Sequence, residues 1–353
     1  MKAMIAMSGG VDSSVAAYLT QQEGFTCIGG TAQMCDQAIL GDAFHLQSIQ
    51  DAEAVAQRLG IDFHVFDAVD AFKCAVVDDF ISCYEQGLTP NPCVVCNKRI
   101  KFSYLLDKAL ELGCDYIVTG HYAQVKQDRD TGRYLLFKAV DEAKDQSYFL
   151  ASLNQQQLSR IRFPLGSYTK AEIRKIAEQQ GFLTAKKKDS QDICFVPDGD
   201  FMGFICRYTG KKYPEGKFLD MQGNAVGKHS GAIRYTLGQR KGLGLAMGEP
   251  VYVCGKDMKT NTVTVGPEEA LYTQTLIAED WNWFPFPALT EPMQVMAKAR
   301  SRHIPQPATV YPLENGQAKV VFDSPQRAVT PGQTVVLYLG DMVVGGGTIT
   351  ETF

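Results

Sequence analysis

Ser8-Gly9-Gly10-Val11-Asp12-Ser13-Ser14 decides the reading of this chain, because it lies between an apolar run, Ala3 to Met7, and a helical pattern that begins at Val15. A turn between a strand and a helix is a place where backbone can hold an anion. Two adjacent glycines let the chain turn tightly, and the N–H groups of the helix start point at whatever sits above them, with the helix dipole behind. Ser8, Ser13 and Ser14 add hydroxyl donors. A Walker-type loop needs four residues between its glycines and then Gly-Lys-Ser/Thr, and no such string occurs here. The stretch reads as a phosphate cradle that carries no lysine of its own.

Outward from this loop, to about Lys188, short apolar strands alternate with longer amphipathic helices: Phe25–Gly29, Leu46–Leu59, Asp62–Phe66, Val69–Tyr84, Lys101–Leu112, Asp115–Thr119 and Lys170–Gln180. That alternation predicts an α/β doubly wound parallel sheet. Gly120-His121-Tyr122 falls at the carboxyl end of a strand, the edge where such sheets bind ligands. Tyr134–Phe137 reads as a further strand. After about Asp200 helical periodicity largely disappears and glycine-punctuated short strands take over. A second shift follows Gly266-Pro267, where Trp281–Pro285 leads into alternating segments at Val295–Ala299, Ala318–Phe322 and Thr334–Tyr338. The expected domains are residues 1–198, a central small β domain at 199–268 and a C-terminal β-barrel at 269–353.

Composition sets the class. With 353 residues, 45% apolar and 21% charged, the chain is neither disordered nor fibrous. No apolar run approaches membrane-span length and no leader pattern opens the sequence, so a cytoplasmic protein without a membrane partner is expected. A net charge of −4 gives no global pull on nucleic acid, so such contacts must come from local basic groups. Lys211-Lys212, Gly238-Gln239-Arg240-Lys241-Gly242 and Arg300-Ser301-Arg302-His303 could line a groove for an RNA backbone.

Ten cysteines in such a chain read as thiols or metal and sulfur ligands rather than a disulfide framework. Thr89-Pro90-Asn91-Pro92-Cys93-Val94-Val95-Cys96-Asn97-Lys98 reads as a proline-fixed loop with a Cys-x-x-Cys pair and a nearby cation, an environment expected to lower thiol pKa values. A third thiol, Cys194, has Lys186–Lys188 to favour its thiolate, with Asp189 and Asp192 opposing. No second Cys-x-x-Cys completes a zinc site. Three sulfurs fit redox sulfur chemistry or a three-ligated iron–sulfur cluster, and both stay open. Cys27, Cys74, Cys206 and Cys254 read as core residues, while Cys35, Cys83 and Cys114 read as incidental. On position alone His121 reads either as a ligand contact or as a structural histidine. Lys144-Asp145-Gln146 offers a cation, a carboxylate and an amide on one turn.

The lysine-free loop resembles the pyrophosphate loop of the N-type ATP pyrophosphatases, which adenylate substrates. Ser8–Ser14, Thr89–Asn97, Thr119–Ala123, Lys144–Leu150, Asp189–Phe195, Tyr235–Gly242 and Ala328–Gln333 occur in one order along nearly the whole chain. Together they resemble the bacterial tRNA-specific 2-thiouridylases of the MnmA (TrmU) family. The resemblance implies C2 thiolation of the wobble uridine, with ATP and Mg²⁺ as cofactors and sulfur carried on cysteine. It assigns the persulfide to Cys194. Cys96 then releases sulfide or forms a transient disulfide with Cys194. It places ATP on Ala6, Met7, Ser8, Gly9, Gly10, Val11, Asp12, Ser13, Ala32 and Gly120. Asn91, Pro92 and Cys93 match the stretch that meets the target base, and His121, Lys144, Asp145, Gln146, Ser301, Arg302 and Gln333 match positions tied to tRNA. Lys, Glu and Gln acceptors are the implied tRNAs, and a cysteine desulfurase or sulfur-relay protein the implied donor.

The chain departs from that family in three ways. Much of the family has Asp at the Cys93 position, so an acid/base role for that carboxylate does not transfer, and Cys93, Cys96 and Cys194 could instead hold a [4Fe–4S] cluster. Met is frequent in the family at Ala32 and Tyr at Ser301, and the Ala32–Leu46 segment is short and unusual. Two other classes share parts of the pattern. An adenylating amide ligase uses the Ser8–Ser14 loop but has no need of Cys96 and Cys194, and a non-catalytic tRNA-binding or sulfur-carrier protein has no need of the loop.

Overall fold

A computed structural model describes residues 1–40, 43–187 and 193–353. Its first body is a five-stranded, all-parallel sheet in the order Phe63–Asp67, Thr26–Gln33, Lys2–Ala6, Tyr116–Val118, Ile161–Arg162. Ala3, Met4 and Ile5 are fully buried, as a central parallel strand with both faces covered requires. Met4 packs with Phe102, Leu105 and Leu106 on one face, and Ala3 and Ile5 pack with Val15, Val55 and Ile173 on the other. The expected doubly wound sheet is present. From Lys2–Ala6 the chain moves to one side and returns later on the other, so the loops after Lys2–Ala6 and Tyr116–Val118 diverge at a topological switch point.

The first helix, Val11–Gln22, begins four residues before the expected Val15. Polar residues in its first turn hide the periodicity. The hydroxyls of Ser13 and Ser14 bond back to the Gly10 carbonyl at 3.1 and 2.8 Å, and so sit comfortably in a helix start. A second difference concerns the Cys-x-x-Cys pair, which lies on a helix rather than in a loop. Pro92–Cys96 is α-helical, continues as a π-helical stretch, Asn97–Tyr104, and returns to α-helix at Leu105–Glu111. Pro92 at the first helical turn has its φ already set and no N–H to leave orphaned.

The second sheet has four strands, Tyr252–Asp257, Thr262–Gly266, Gly216–Leu219 and Ala225–His229. It is preceded by a helix, Phe201–Thr209, where only strands are expected from the sequence. Apolar residues on that helix dock onto the first body, with Phe204 against Phe80 and Phe195, and Phe201 stacked on Tyr84. The third body is a closed six-stranded barrel running Tyr272–Trp283, Ala318–Arg327, Gln306–Pro312, Met293–Lys298, Thr334–Leu339 and Met342–Thr352, the last pairing with the first. The hairpin Gln124–Gln127 and Tyr134–Phe137 leaves the parallel sheet and adds to the barrel through Phe137 and Met342. Arg133 at its turn fixes it, donating to the Phe284 and Trp283 carbonyls at 2.7 and 2.9 Å. Among the described residues no helix is long and apolar enough to cross a membrane.

Gly166 marks a tight crossing behind the switch point, since a Cβ there would stand 1.9 Å from the Ala123 carbonyl oxygen. Gly166→Ala is expected to destabilise the chain by about 2 kcal/mol or more, because backbone rather than a side-chain tip must move. A urea midpoint equal to wild type would contradict this crossing.

Candidate active site

The cradle loop opens at the switch point. Gly9 has φ 68° and its α-carbon faces the Ser48 carbonyl so closely that a Cβ would stand 2.2 Å from it, so only glycine fits. Gly10 is the helix N-cap in extended conformation and offers no side-chain cap. The first-turn N–H groups, which an α-helix cannot satisfy internally, therefore open onto the loop. Ser13 Oγ accepts from the Ser8 N–H at 3.2 Å and lies 3.3 Å from Ser8 Oγ, tying the two ends of the loop together. From the neighbouring strand end Gly120 presses on the same turn, where a Cβ would stand 2.7 Å from the Asp12 carbonyl carbon.

Two lysines distant in sequence complete this corner. Lys170 Nζ lies 2.8 Å from both carboxylate oxygens of Asp12, whose Oδ1 also accepts from the Tyr122 hydroxyl at 2.8 Å. Lys187 Nζ donates to the Gly9 carbonyl at 2.9 Å and to Asp51 at 2.7 Å. The loop without a lysine of its own thus gains two. Neither is legible from the loop sequence; the only signal for Lys170 is the Thr169-x-x-Glu172 capping box that starts its helix, and that box is present. Ala32, half-buried near the end of Thr26–Gln33, packs on the sheet face formed around Met4.

The thiols gather around the helix Pro92–Cys96 and Met34, just past the strand that neighbours the one leading into the cradle. Cys96 is buried within an apolar cluster that includes Cys35, Phe80 and Phe195, and its Sγ lies 4.0 Å from Met34 Sδ. Cys93 and Cys194 are exposed to solvent, yet the surrounding protein still desolvates their sulfurs. All ten cysteines are free thiols. The expected lowering of thiol pKa does not occur. Burial pushes Cys96 up to about 11 against the opposing pull of Lys101, and pushes Cys194 up to about 12, with Cys96 and Cys93 adding to the rise. Cys93 is raised too, again by burial. Among the described residues the cation acting on this group is Lys101, three residues beyond Lys98. Lys187 is engaged at the cradle loop instead, and Lys188, Asp189 and Asp192 lie outside the described residues. Among the described residues no three Cys, His, Asp or Glu side chains converge to hold a metal ion.

Of the four cysteines expected in the core, Cys27 is buried, Cys206 and Cys254 are half-buried, and Cys74 is exposed on a π-helical stretch. Cys35, read from sequence as incidental, is the one brought into the thiol group.

The residues matched to tRNA divide into struts and surface. His121 is buried between Phe102 and Phe163, with Nδ1 2.7 Å from Thr119 Oγ1, and desolvation followed by the Lys101 charge holds its pKa well below the usual histidine value. Asp145 accepts from the Ala139 and Ser147 N–H groups and from Ser147 Oγ, and Gln146 Oε1 accepts from the Tyr122 N–H. Lys144 is half-buried on the same turn. Gln333 reaches across from the barrel, donating from Nε2 to the carbonyls of Thr89 and Pro90 at 2.9 and 3.1 Å. Asn91 bonds the Tyr148 hydroxyl, which itself donates to the Thr334 carbonyl at 2.7 Å. Ser301 is half-buried and Arg302 exposed at a barrel turn.

Comparison with known proteins covers the whole chain. The family described as "tRNA methyl transferase HUP domain" matches residues 1–198, "tRNA methyl transferase PRC-barrel domain" matches 202–267, and "Aminomethyltransferase beta-barrel domain" matches 273–349. A tRNA-specific 2-thiouridylase MnmA of Clostridioides difficile (strain 630) is 46% identical over 355 residues, covering 99% of this chain and 98% of that protein. Its counterpart in Acetivibrio thermocellus is 47% identical and 99% of each chain is covered. Among solved structures, the U34-tRNA thiolase NcsA from Methanococcus maripaludis covers 60% of this chain and 70% of its own at 17% identity and TM-score 0.36, too distant to carry chemistry across.

Thiols this far from ionisation react through a small thiolate fraction. Alkylation of Cys194 by iodoacetamide, followed by peptide mass spectrometry, should quicken about tenfold per pH unit from pH 7 to 10, where an ordinary thiol levels off above its pKa of about 8.5. A plateau near pH 9 would show the Cys194 thiol to be less desolvated than its surroundings indicate.

Proposed function

This chain belongs to the tRNA-specific 2-thiouridylase family, and from that premise we propose that it replaces the C2 oxygen of the wobble uridine, position 34 of tRNA, by sulfur at the expense of ATP. The observation that carries the reading is a pair of neighbouring thiols, Cys96 and Cys194, with Cys96 against Met34 just past the end of Thr26–Gln33, the strand next to the one that leads into the cradle loop. An amide ligase has a use for the cradle but none for the thiols.

The chemistry requires both halves. A uracil C2 oxygen is a poor leaving group, so it must first attack the α-phosphorus of MgATP, the nucleotide substrate, and depart later with AMP. The Ser8–Ser14 backbone and Lys170 are placed to bind the pyrophosphate that leaves, with Lys170 moving from Asp12 to the phosphates. The adenylated base then meets a persulfide on Cys194. The terminal sulfur attacks C2 and AMP leaves; a thiol attack on Cys194 Sγ by Cys96 then releases 2-thiouridine and leaves a Cys96–Cys194 disulfide, which an external dithiol reduces. The target base must leave the anticodon stack to reach these groups, and Asn91-Pro92-Cys93, at the helix start beside Cys96, is the segment it would meet.

A cluster on Cys93, Cys96 and Cys194 fits less well, since the three do not converge on a metal position in this arrangement. tRNA is the partner of the reaction. A persulfide-delivering protein such as a cysteine desulfurase or relay protein fits the exposed Cys194, and tRNAs for Lys, Glu and Gln are the substrates proposed.

Nucleoside mass spectrometry of unmodified tRNA incubated anaerobically with ATP, Mg²⁺, a persulfide donor and iron-free enzyme should show 2-thiouridine with wild type and none with Cys194→Ala. Product only after iron–sulfide reconstitution would overturn the persulfide route. Lys170→Met should lower kcat/KM for ATP by about a hundredfold through loss of one charge-assisted phosphate contact. An unchanged value would leave Lys170 a partner of Asp12 alone.

A further inference from the structure

Cys35 takes no part in the reaction as written, yet it stands within the thiol group. It follows the strand Thr26–Gln33 and Met34, whose Sδ lies 4.0 Å from Cys96 Sγ. Only 2% of Cys35 is exposed, and it belongs to the same apolar cluster as Cys96 and Phe195, with Ile193 packed against that cluster. Ile193 and Phe195 are the two chain neighbours of Cys194. The electrostatics agree with the packing: burial raises the Cys35 pKa first, followed by the nearby Cys194, Asp36 and Cys96. Cys194 therefore lies near two buried thiols, Cys96 and Cys35.

Resting on the persulfide reading above, we propose that Cys35 is a second resolving thiol for Cys194, able to complete sulfur transfer in place of Cys96. After the terminal sulfur has bonded to C2, the bridge is Cys194 Sγ–S–C2. Cys35 Sγ attacks Cys194 Sγ, the Sγ–S bond breaks, and the electron pair stays with the sulfur on uridine. The Cys35 proton is released and 2-thiouridine leaves, while Cys35 and Cys194 are left as a disulfide. Over the whole transfer the pair of cysteine sulfurs is oxidised by two electrons and the outer sulfur of the persulfide is reduced by two. An external dithiol then restores both thiols, as it would the Cys96–Cys194 pair. The apolar surroundings suit this task, because a buried neutral disulfide forgoes no ionic solvation while a buried thiolate does.

The test is a single turnover with persulfide-loaded, iron-free enzyme, ATP, Mg²⁺ and unmodified tRNA, without reductant, read by nucleoside mass spectrometry and by non-reducing peptide mapping. Pyrophosphate release, which needs no sulfur, reports that each variant is folded. Cys96→Ala should keep about a tenth or more of the wild-type yield and accumulate a Cys35–Cys194 disulfide; Cys35→Ala with Cys96→Ala should lose about a hundredfold. Cys96→Ser serves if the alanine variant does not fold. A Cys96 variant that releases pyrophosphate but gives no 2-thiouridine and no Cys35–Cys194 peptide overturns the proposal and leaves the persulfide reading intact. Wild type that forms no product under these conditions overturns that reading, and the proposal with it.

Discussion

Two hydrogen bonds from the Gln333 amide, to the carbonyls of Thr89 and Pro90, hold the segment on which the thiol site depends. That segment cannot hold itself. Pro90 and Pro92 have no N–H, and the stretch precedes the helix, so its carbonyls must find donors elsewhere. The barrel supplies them, and in return the Pro331 carbonyl accepts from the Thr89 N–H at 3.0 Å. Gly332 makes the approach feasible, since a Cβ there would stand 3.0 Å from Leu88 and Thr89. Each bond contributes only about 1 kcal/mol, but an unmet buried carbonyl costs more. Once Asn91 is fixed, Pro92 starts the helix and helical geometry fixes Cys93 and Cys96. The barrel, remote in sequence, is thus part of the thiol site's construction.

The two halves of the site are built with opposite electrostatics. The cradle gathers helix N–H groups, serine hydroxyls, Lys170 and Lys187. Cys96 sits among Phe80, Phe195 and Met34, where burial outweighs the pull of Lys101. Protonated thiols are poor nucleophiles, so in this arrangement Cys96 and Cys194 meet as thiols rather than as thiolates.

Much of this arrangement is legible in the sequence, and the failures have local causes. The Ser8–Ser14 loop between strand and helix, the parallel sheet and the barrel strands follow from apolar periodicity and turn chemistry. Periodicity misplaced the start of the first helix because Asp12, Ser13 and Ser14 occupy its first turn. It could not show that the hairpin at Tyr134–Phe137 would join the barrel, since a four-residue strand reads alike in either sheet. The thiol environment escapes the sequence for a similar reason. A lysine near in sequence reads as the governing charge, whereas the three-dimensional surroundings of Cys96 are mostly apolar. Cys35 has no motif and Lys170 only the capping box that starts its helix, and it is the fold that brings each to its place.

The residues matched to tRNA make the same point about function. His121, Asp145 and Gln146 spend their polar atoms on Thr119, Ser147, Ala139 and Tyr122, and Tyr122 in turn holds Asp12 of the cradle. A substitution at Gln146 would therefore reach the phosphate loop through two hydrogen bonds without touching an RNA. Buried struts of this kind fix a motif as firmly as contact does, because each polar atom left unpaired in the interior carries its full desolvation penalty. The turn that carries Lys144 is tied through Gln146 to Tyr122, whose hydroxyl holds Asp12. That turn and the cradle loop are accordingly one mechanical unit, with Tyr122 as the shared member.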